Sequence, residues 1–341
     1  MKTPAVLDEY PSVVDAVISS LLDHVQPPLC HMITYHLGWT DRNGEPVNGS
    51  RGKRLRATLC LLACEATEGD YHHALPAAAA VELVHNLSLI QDDIQDDDAE
   101  RRHRPTVWSI WGKPQALNAV TAMHGLANLA LSRLGENGTP FSKQQYSQRL
   151  LNETILKMSE GQYCDMSFEK RLDIDVNSYL DMIESKTAAL ITCSMEMGAL
   201  LGTDEGSYIE AFREFGRNLG LAFQIRDDIL GIWGVSEQTG KPEASDIANK
   251  KKSYPLVYAM QTAKGKAKKE LIEIYEKETI EENGFNRVLN ILKSIGAQAH
   301  SQEMAEEYRD RALVELEGMT LSPQASSNLR ELTYFLVGRE F

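Results

Sequence analysis

The sequence predicts an all-α protein built as a single large helical bundle, and three observations carry that prediction. Helical spacing of apolar residues runs through most of the 341 residues, no stretch shows the strict alternation of a half-buried strand, and no linker or low-complexity segment divides the chain. With 43% hydrophobic residues and only 12 prolines, the chain can bury a substantial core between long helices. One domain covering residues 1–341 is the expectation.

The elements follow in order. Pro27 and Pro28 interrupt an N-terminal helical segment, and residues 40–52 (TDRNGEPVNGSRG) form the clearest loop. Helices are expected at 53–68, 74–98, 114–135, 143–169, 176–202, 206–233, 253–277 and 284–296, then from about 300 to near the C-terminus. Gly, Pro and Ser punctuation places loops at 136–142 and 234–249. A formal net charge of -14 argues against nucleic acid as the main partner, because its phosphates would be repelled. Five scattered cysteines (Cys30, Cys60, Cys64, Cys164, Cys193) lack any CxxC repeat and read as free thiols of a reducing compartment. The N-terminal stretch lacks a signal-peptide profile, and no apolar run approaches the ~18 residues of a membrane span. A soluble cytoplasmic protein is expected.

The most informative stretch is HNLSLIQDDIQDDDAERRHRPT, residues 85–106. At about 100° per residue, Asp92 and Asp96 share one helical face, with His85 on the same stripe two turns earlier. Carboxylates crowded on one face repel each other unless a cation lies between them. Oxygen ligands of this kind suit Mg²⁺, which completes its coordination with water and substrate phosphates. A solvated acidic helix end is the alternative, and it stays open on this stretch alone. A second cluster, LAFQIRDDILGIWG at 221–234, places Gln224, Asp227 and Asp228 on one broad face in an apolar context. Buried carboxylates need partners, and metal shared between two facing helices would satisfy both clusters.

Cations complement them. Lys53 and Arg56 lie three residues apart at a helix start, where backbone N–H groups add to their pull on an anion. Arg101, Arg102 and Arg104 follow the first cluster, Lys186-Thr187 interrupts an amphipathic helix, and Lys241 and Lys250–Lys252 follow the second. Each lysine alone reads as solvated surface; together they point to a diphosphate held between metal and cations. No G-x-x-x-x-G-K-[ST], G-x-S-x-G or H-E-x-x-H occurs, so nucleotide-loop, esterase and zinc-protease chemistry have no motif here.

Taken in order, GKRLR, DDIQD with a following RR, GQYCD, KT, FQIRDD, and GKP with KKKS make the chain resemble the trans-isoprenyl diphosphate synthases, the family of farnesyl and geranylgeranyl diphosphate synthases. The resemblance runs from about Arg51 to the last helix. It implies the isoprenoid synthase fold, a deep apolar cavity and a homodimer. It further implies that Asp92 and Asp96 bind two Mg²⁺ and Asp227 a third, so that these aspartates and Lys186 serve ionisation of the substrate. Arg101, Lys186, Thr187, Gln224, Lys241 and Lys251 would hold the allylic diphosphate. Lys53, Arg56, His85 and Arg102 would hold isopentenyl diphosphate.

Four departures from the family pattern stand out. Gly231 stands where the second motif has a third aspartate, Gln91 replaces a frequent His, Ala57 a frequent Pro, and Val120-Thr121 a Gly-Asp pair. Two other readings follow from these changes: a class I terpene cyclase on the same fold, or a non-catalytic subunit that tunes a catalytic partner. The retained isopentenyl diphosphate residues favour prenyl transfer. By resemblance, Leu87 and Ser88 help set product length; neither is a bulky aromatic, which implies a geranylgeranyl product.

Overall fold

The computed structural model describes residues 3–47, 52–234, 245–277 and 279–338. Three helices, α1 (Val6–Glu9), α2 (Pro11–Leu22) and α3 (Pro27–His36), form the N-terminal layer. The N-terminal helical segment breaks between Leu22 and Pro27, and Pro27 opens α3, since its missing N–H costs nothing in a first turn. The centre is made by α4 (Leu55–Ala66) and α5 (Tyr71–Gln95). Ala77, Ala78, Ala79 and Ala80 of α5 are all fully buried, so neighbouring helices approach this helix from every side.

Two short strands, β1 (Glu100–Arg101) and β2 (Arg104–Pro105), pair antiparallel after α5. They were not expected, because two residues per strand leave no periodicity to detect. Next come α6 (Val107–Trp111), α7 (Lys113–Ser132), which packs along α5, and α8 (Phe141–Phe168). The expected helix 176–202 is continuous but has three parts: α9 (Val176–Ile183), a π-helical turn at Glu184–Ala188, and α10 (Ala189–Gly202). The long helix α11 (Gly206–Trp233) packs on α10, which in turn packs on α4 and α5.

Beyond it, α12 (Ser245–Ala248) is a single turn inside the expected 234–249 loop. The expected helix 253–277 is two helices, α13 (Tyr254–Thr262) and α14 (Gly265–Glu276), because Ala263 turns extended with ψ 141°. They are followed by α15 (Glu282–Ser294), α16 (Ala297–Glu315) and α17 (Pro323–Val337). The core lies in three apolar clusters, and α16 contributes to each of them through Leu313, Ala305 and Ala297. No helix among the described residues is long and apolar enough to cross a membrane.

Candidate active site

A cavity of about 770 Å³ opens among α4, α5, α8, α10, α11 and α17. Its walls bring together Lys53, Arg56, His85, Leu87, Ser88, Asp92, Arg101, Arg102, Lys186, Thr187, Gln224, Asp227 and Lys251. Val84, Ile155, Met158, Leu190, Phe335 and Leu336 add apolar wall to the same space. Asp96 is not part of this lining; it caps α5 as an exposed residue, its N–H bonded to the Asp92 carbonyl at 2.9 Å. Lys241 lies outside the described residues.

The first acidic cluster divides its aspartates by direction. Asp93 points into the protein, 1% exposed, and accepts from Arg101 Nε at 2.6 Å. Burial pushes its carboxyl up to about 6 against the pull of Arg101. Asp92 faces the cavity, where Arg101 Nη2 approaches Oδ2 at 3.4 Å and Lys186 Nζ lies 3.3 Å from Oδ1. That Oδ1 is buried yet accepts no hydrogen bond, as is Asp93 Oδ2. Hard oxygen donors with free lone pairs on a cationic wall fit a Mg²⁺-type ion. Among the described residues no three His, Cys, Asp or Glu side chains converge enough to hold an ion alone, so substrate oxygens and water would complete the coordination.

The second cluster divides in the same way, which the expectation of one shared face for Asp227 and Asp228 did not foresee. Asp227 lines the cavity. Asp228 is 1% exposed and accepts from the Tyr179 hydroxyl, from the Tyr254 N–H at 2.8 Å and from Gln224 Nε2 at 2.9 Å. Burial pushes it up to about 6. With its Nε2 so engaged, Gln224 turns Oε1 to the Thr187 hydroxyl at 2.8 Å.

Lys186 and Thr187 reach the cavity because they sit on the π-helical turn, which inserts an extra residue into the helix. Gly161 of α8 makes room for it, since a Cβ there would lie 2.3 Å from the Lys186 nitrogen. Lys186 Nζ donates to Asp165 Oδ2 at 2.5 Å, tying α8 to the first cluster. Desolvation would lower the Lys251 pKa, but Asp246, Asp228, Asp165 and Asp92 outweigh it and raise it. One ammonium therefore feels carboxylates of both acidic helices.

The remaining cations form a separate group. Arg56 Nη1 donates to His85 Nε2 at 3.3 Å; burial and then the Arg56 charge hold His85 well below its ordinary pKa, so it is neutral. Arg102 adopts a left-handed φ of 53° in the β1–β2 turn and sets its guanidinium beside Gly52. Lys53 Nζ lies 5.0 Å from the centre of the Phe335 ring. Arg54, by contrast, pairs with Asp15 and Glu82 and is buried structure.

Asp165, Gln162 and Asp246 also belong to the site and were missed. Asp165 stands in the GQYCD motif, and its partner Lys186 is distant in sequence; Gln162 donates to Gln95 Oε1 at 2.9 Å. Ser88 spends its hydroxyl on the His85 carbonyl at 2.8 Å, so it presents little polarity to the cavity beside Leu87. Of the departures, Val120 packs half-buried on the core, and Thr121 is exposed with its hydroxyl on the Leu117 carbonyl. Neither residue lines the cavity.

An all-helical enclosure with cations and two aspartate-bearing helices on its walls defines an enzyme class, the isoprenoid synthases of the all-α fold. The comparisons narrow it. Residues 39–292 match the polyprenyl synthetase family model. The chain is 34% identical over 342 residues to the (2E,6E)-farnesyl diphosphate synthase of Mycobacterium tuberculosis, covering 99% of this chain and 94% of that one. It is 36% identical to the geranylgeranyl diphosphate synthase of the same organism, covering 94% and 90%. A crystal structure of polyprenyl synthetase from Streptomyces coelicolor superposes with a TM-score of 0.90 at 34% identity, over 98% of this chain and 99% of that one. The chain belongs to the polyprenyl synthetase family and is a trans-isoprenyl diphosphate synthase.

Proposed function

We propose that this prenyltransferase condenses isopentenyl diphosphate with an allylic diphosphate in a Mg²⁺-dependent reaction, and that its product is linear geranylgeranyl diphosphate. The observation that carries the reading is the joint placement of Asp92, Asp227, Lys186 and Lys251 on one cavity wall system that is otherwise partly apolar.

Asp92, Asp96 and Asp227 would hold Mg²⁺, which neutralises charge on the departing diphosphate. Lys186, Arg101 and Lys251 stabilise the same developing charge as the allylic C–O bond breaks, and they are fixed before the reaction by their carboxylate partners. Thr187 and Gln224 orient the diphosphate. Lys53, Arg56, neutral His85 and Arg102 seat the second diphosphate, so that the isopentenyl alkene meets the carbocation. A proton then leaves the adduct for the released diphosphate. Apolar walls keep out water, which would quench the cation.

Identity to relatives does not select product length, because relatives at 34–36% identity include farnesyl, geranylgeranyl and geranylfarnesyl diphosphate synthases. Leu87 and Ser88 support the C20 reading, as neither closes the cavity with an aromatic ring. Leu87→Phe is expected to shorten the product by at least one isoprene unit; an unchanged product removes Leu87 from the determinants. The test of the function itself is incubation with Mg²⁺, isopentenyl diphosphate and dimethylallyl, geranyl or farnesyl diphosphate. Mass spectrometry then reads the products, and C20 linear diphosphate is the expected one.

Exposed Leu117 on α7 and Leu156 and Tyr163 on the adjoining α8 support a homodimer that covers these side chains. Light scattering at the mass of two chains is the expected result. Five free cysteines support a cytoplasmic location.

A further inference from the structure

The sequence groups Lys250, Lys251 and Lys252 as one cationic run, but the fold sends them three ways. Lys251 lines the cavity. Lys250 has a left-handed φ of 56° and donates through Nζ to the Lys277 carbonyl just beyond α14. Lys252 is turned into the protein, 5% exposed, and is not part of the cavity lining. A buried ammonium is costly unless acceptors surround it. Here Nζ donates to the Glu169 carbonyl at 2.9 Å and the Lys250 carbonyl at 3.4 Å, and lies 5.4 Å from the centre of the Tyr275 ring on α14. Burial and then the Lys250 charge hold it down to about 8, against the pull of Glu169, so it is an ammonium at neutral pH. Burial keeps the facing Tyr275 a neutral phenol.

Glu169 directly follows the last residue of α8, where carbonyls lack partners within the helix and the helix dipole favours a cation. Lys252 therefore caps α8 from an irregular segment. Lys251 is fixed from both sides as a result: its own N–H donates to the Asp246 carbonyl at 2.9 Å, and the next side chain is anchored to α8. The last turn of α8 also carries Asp165, which accepts from Lys186. We propose that Lys252 is a positioning residue of the allylic diphosphate subsite: its buried charge ties residues 250–253 to the end of α8 and so sets the Lys251 ammonium against the diphosphate. The inference rests on the proposed prenyl-transfer reading. One helix end then places both ammonium groups, Lys186 through the Asp165 carboxylate and Lys251 through Lys252.

The test is steady-state kinetics with geranyl and isopentenyl diphosphates for wild type, Lys251→Met, Lys252→Met, Lys252→Gln and Lys252→Arg, with folding checked by circular dichroism. Lys252→Met is expected to raise the allylic KM roughly tenfold. The KM for isopentenyl diphosphate should stay at its wild-type value, because Arg56, His85 and Arg102 stand on α4, α5 and the β1–β2 turn. Lys252→Gln keeps a donor without the charge, shifts the allylic KM in the same direction, and decides if Lys252→Met does not fold. Lys252→Arg restores charge and donors and should recover the allylic KM. In wild type the allylic KM should also rise above about pH 8 as the ammonium deprotonates, and Lys252→Arg should remove this rise because a guanidinium stays charged. Equal increases in both KM values would mean a general structural lysine and overturn the proposal. A wild-type allylic KM in folded Lys252→Met or Lys252→Gln overturns it too, as does an alkaline rise that persists in Lys252→Arg. A wild-type allylic KM in Lys251→Met, or no consumption of isopentenyl diphosphate by the wild type, brings down the allylic subsite itself, and this inference with it.

Discussion

The two acidic helices solve one problem with different materials. In each, the first aspartate of a pair faces the cavity and the second is turned inward, 1% exposed in both cases. On α5 the inward Asp93 is held by a charged partner, Arg101, which comes from the β1–β2 hairpin and also reaches Asp92. On α11 the inward Asp228 is held by neutral donors: the Tyr179 hydroxyl and the Tyr254 N–H from other helices, and the Gln224 amide one turn earlier on α11 itself. Charge-assisted pairing holds the first cluster through one loop arginine shared by Asp92 and Asp93. A network of several satisfied neutral donors is rigid, and it fixes Gln224 and Thr187 in turn. The first cluster is thus held by one shared charge and the second by a network of neutral donors.

The comparison breaks most visibly if the cavity-facing aspartates are unequal. Asp92→Asn and Asp227→Asn are each expected to lower kcat by about 10²–10³-fold, measured by single-turnover kinetics; a mild effect at either position would leave a single acidic helix in charge. Next in size is the rigid network. Tyr179→Phe deprives buried Asp228 of a donor and is expected to cost about 1–3 kcal/mol of stability in chemical unfolding, with a smaller loss in kcat/KM than either cavity aspartate. No loss of stability would mean that Asp228 does not depend on its hydroxyl donor.

A third prediction concerns the cations beside the first cluster. Burial, then Arg101, Arg102 and Arg54, push His36 down to about 3. Because its folded pKa lies below the unfolded value of 6.5, the unfolded chain binds more protons between these limits. The stability contributed by neutral His36 is complete above pH 6.5 and is lost as pH falls toward 3. At most about 1.4 kcal/mol per pH unit comes from one proton. His36→Gln should flatten the slope of unfolding free energy over this range; an unchanged slope assigns it to other groups. The smallest effect sharpens the hairpin's part. His103 has a φ of 60° in the turn between β1 and β2, a conformation that glycine adopts without strain. His103→Gly should stabilise by roughly 0.5–1 kcal/mol in the same unfolding assay, provided that the turn, and not the histidine ring, sets the position of Arg101 and Arg102.

Much of this was legible in the sequence where periodicity governs it. The long helices carrying Asp92 and Asp227 follow from apolar spacing, and the two acidic clusters from carboxylates in apolar context, though not which aspartate of each faces the cavity. What periodicity could not reveal was the inward turn of Asp93 and Asp228, because Arg101 and Tyr179 find them only through tertiary packing. The π-helical turn under Lys186 was hidden for the same reason: Gly161, which makes room for it, lies on another helix. The split at Ala263 and the two-residue strands left too short a signal. Asp246 reads as a loop residue, and only packing sets its carboxylate against Gly231.

The measurement that meets the central claim most directly is the stoichiometry of inorganic diphosphate released to isopentenyl diphosphate consumed, with geranyl or farnesyl diphosphate as the allylic partner and Mg²⁺ present. The account predicts one diphosphate released for each isopentenyl diphosphate consumed, with both rates falling together in Asp92→Asn and Asp227→Asn. Diphosphate release with no consumption of isopentenyl diphosphate, accompanied by cyclic hydrocarbons, would contradict it.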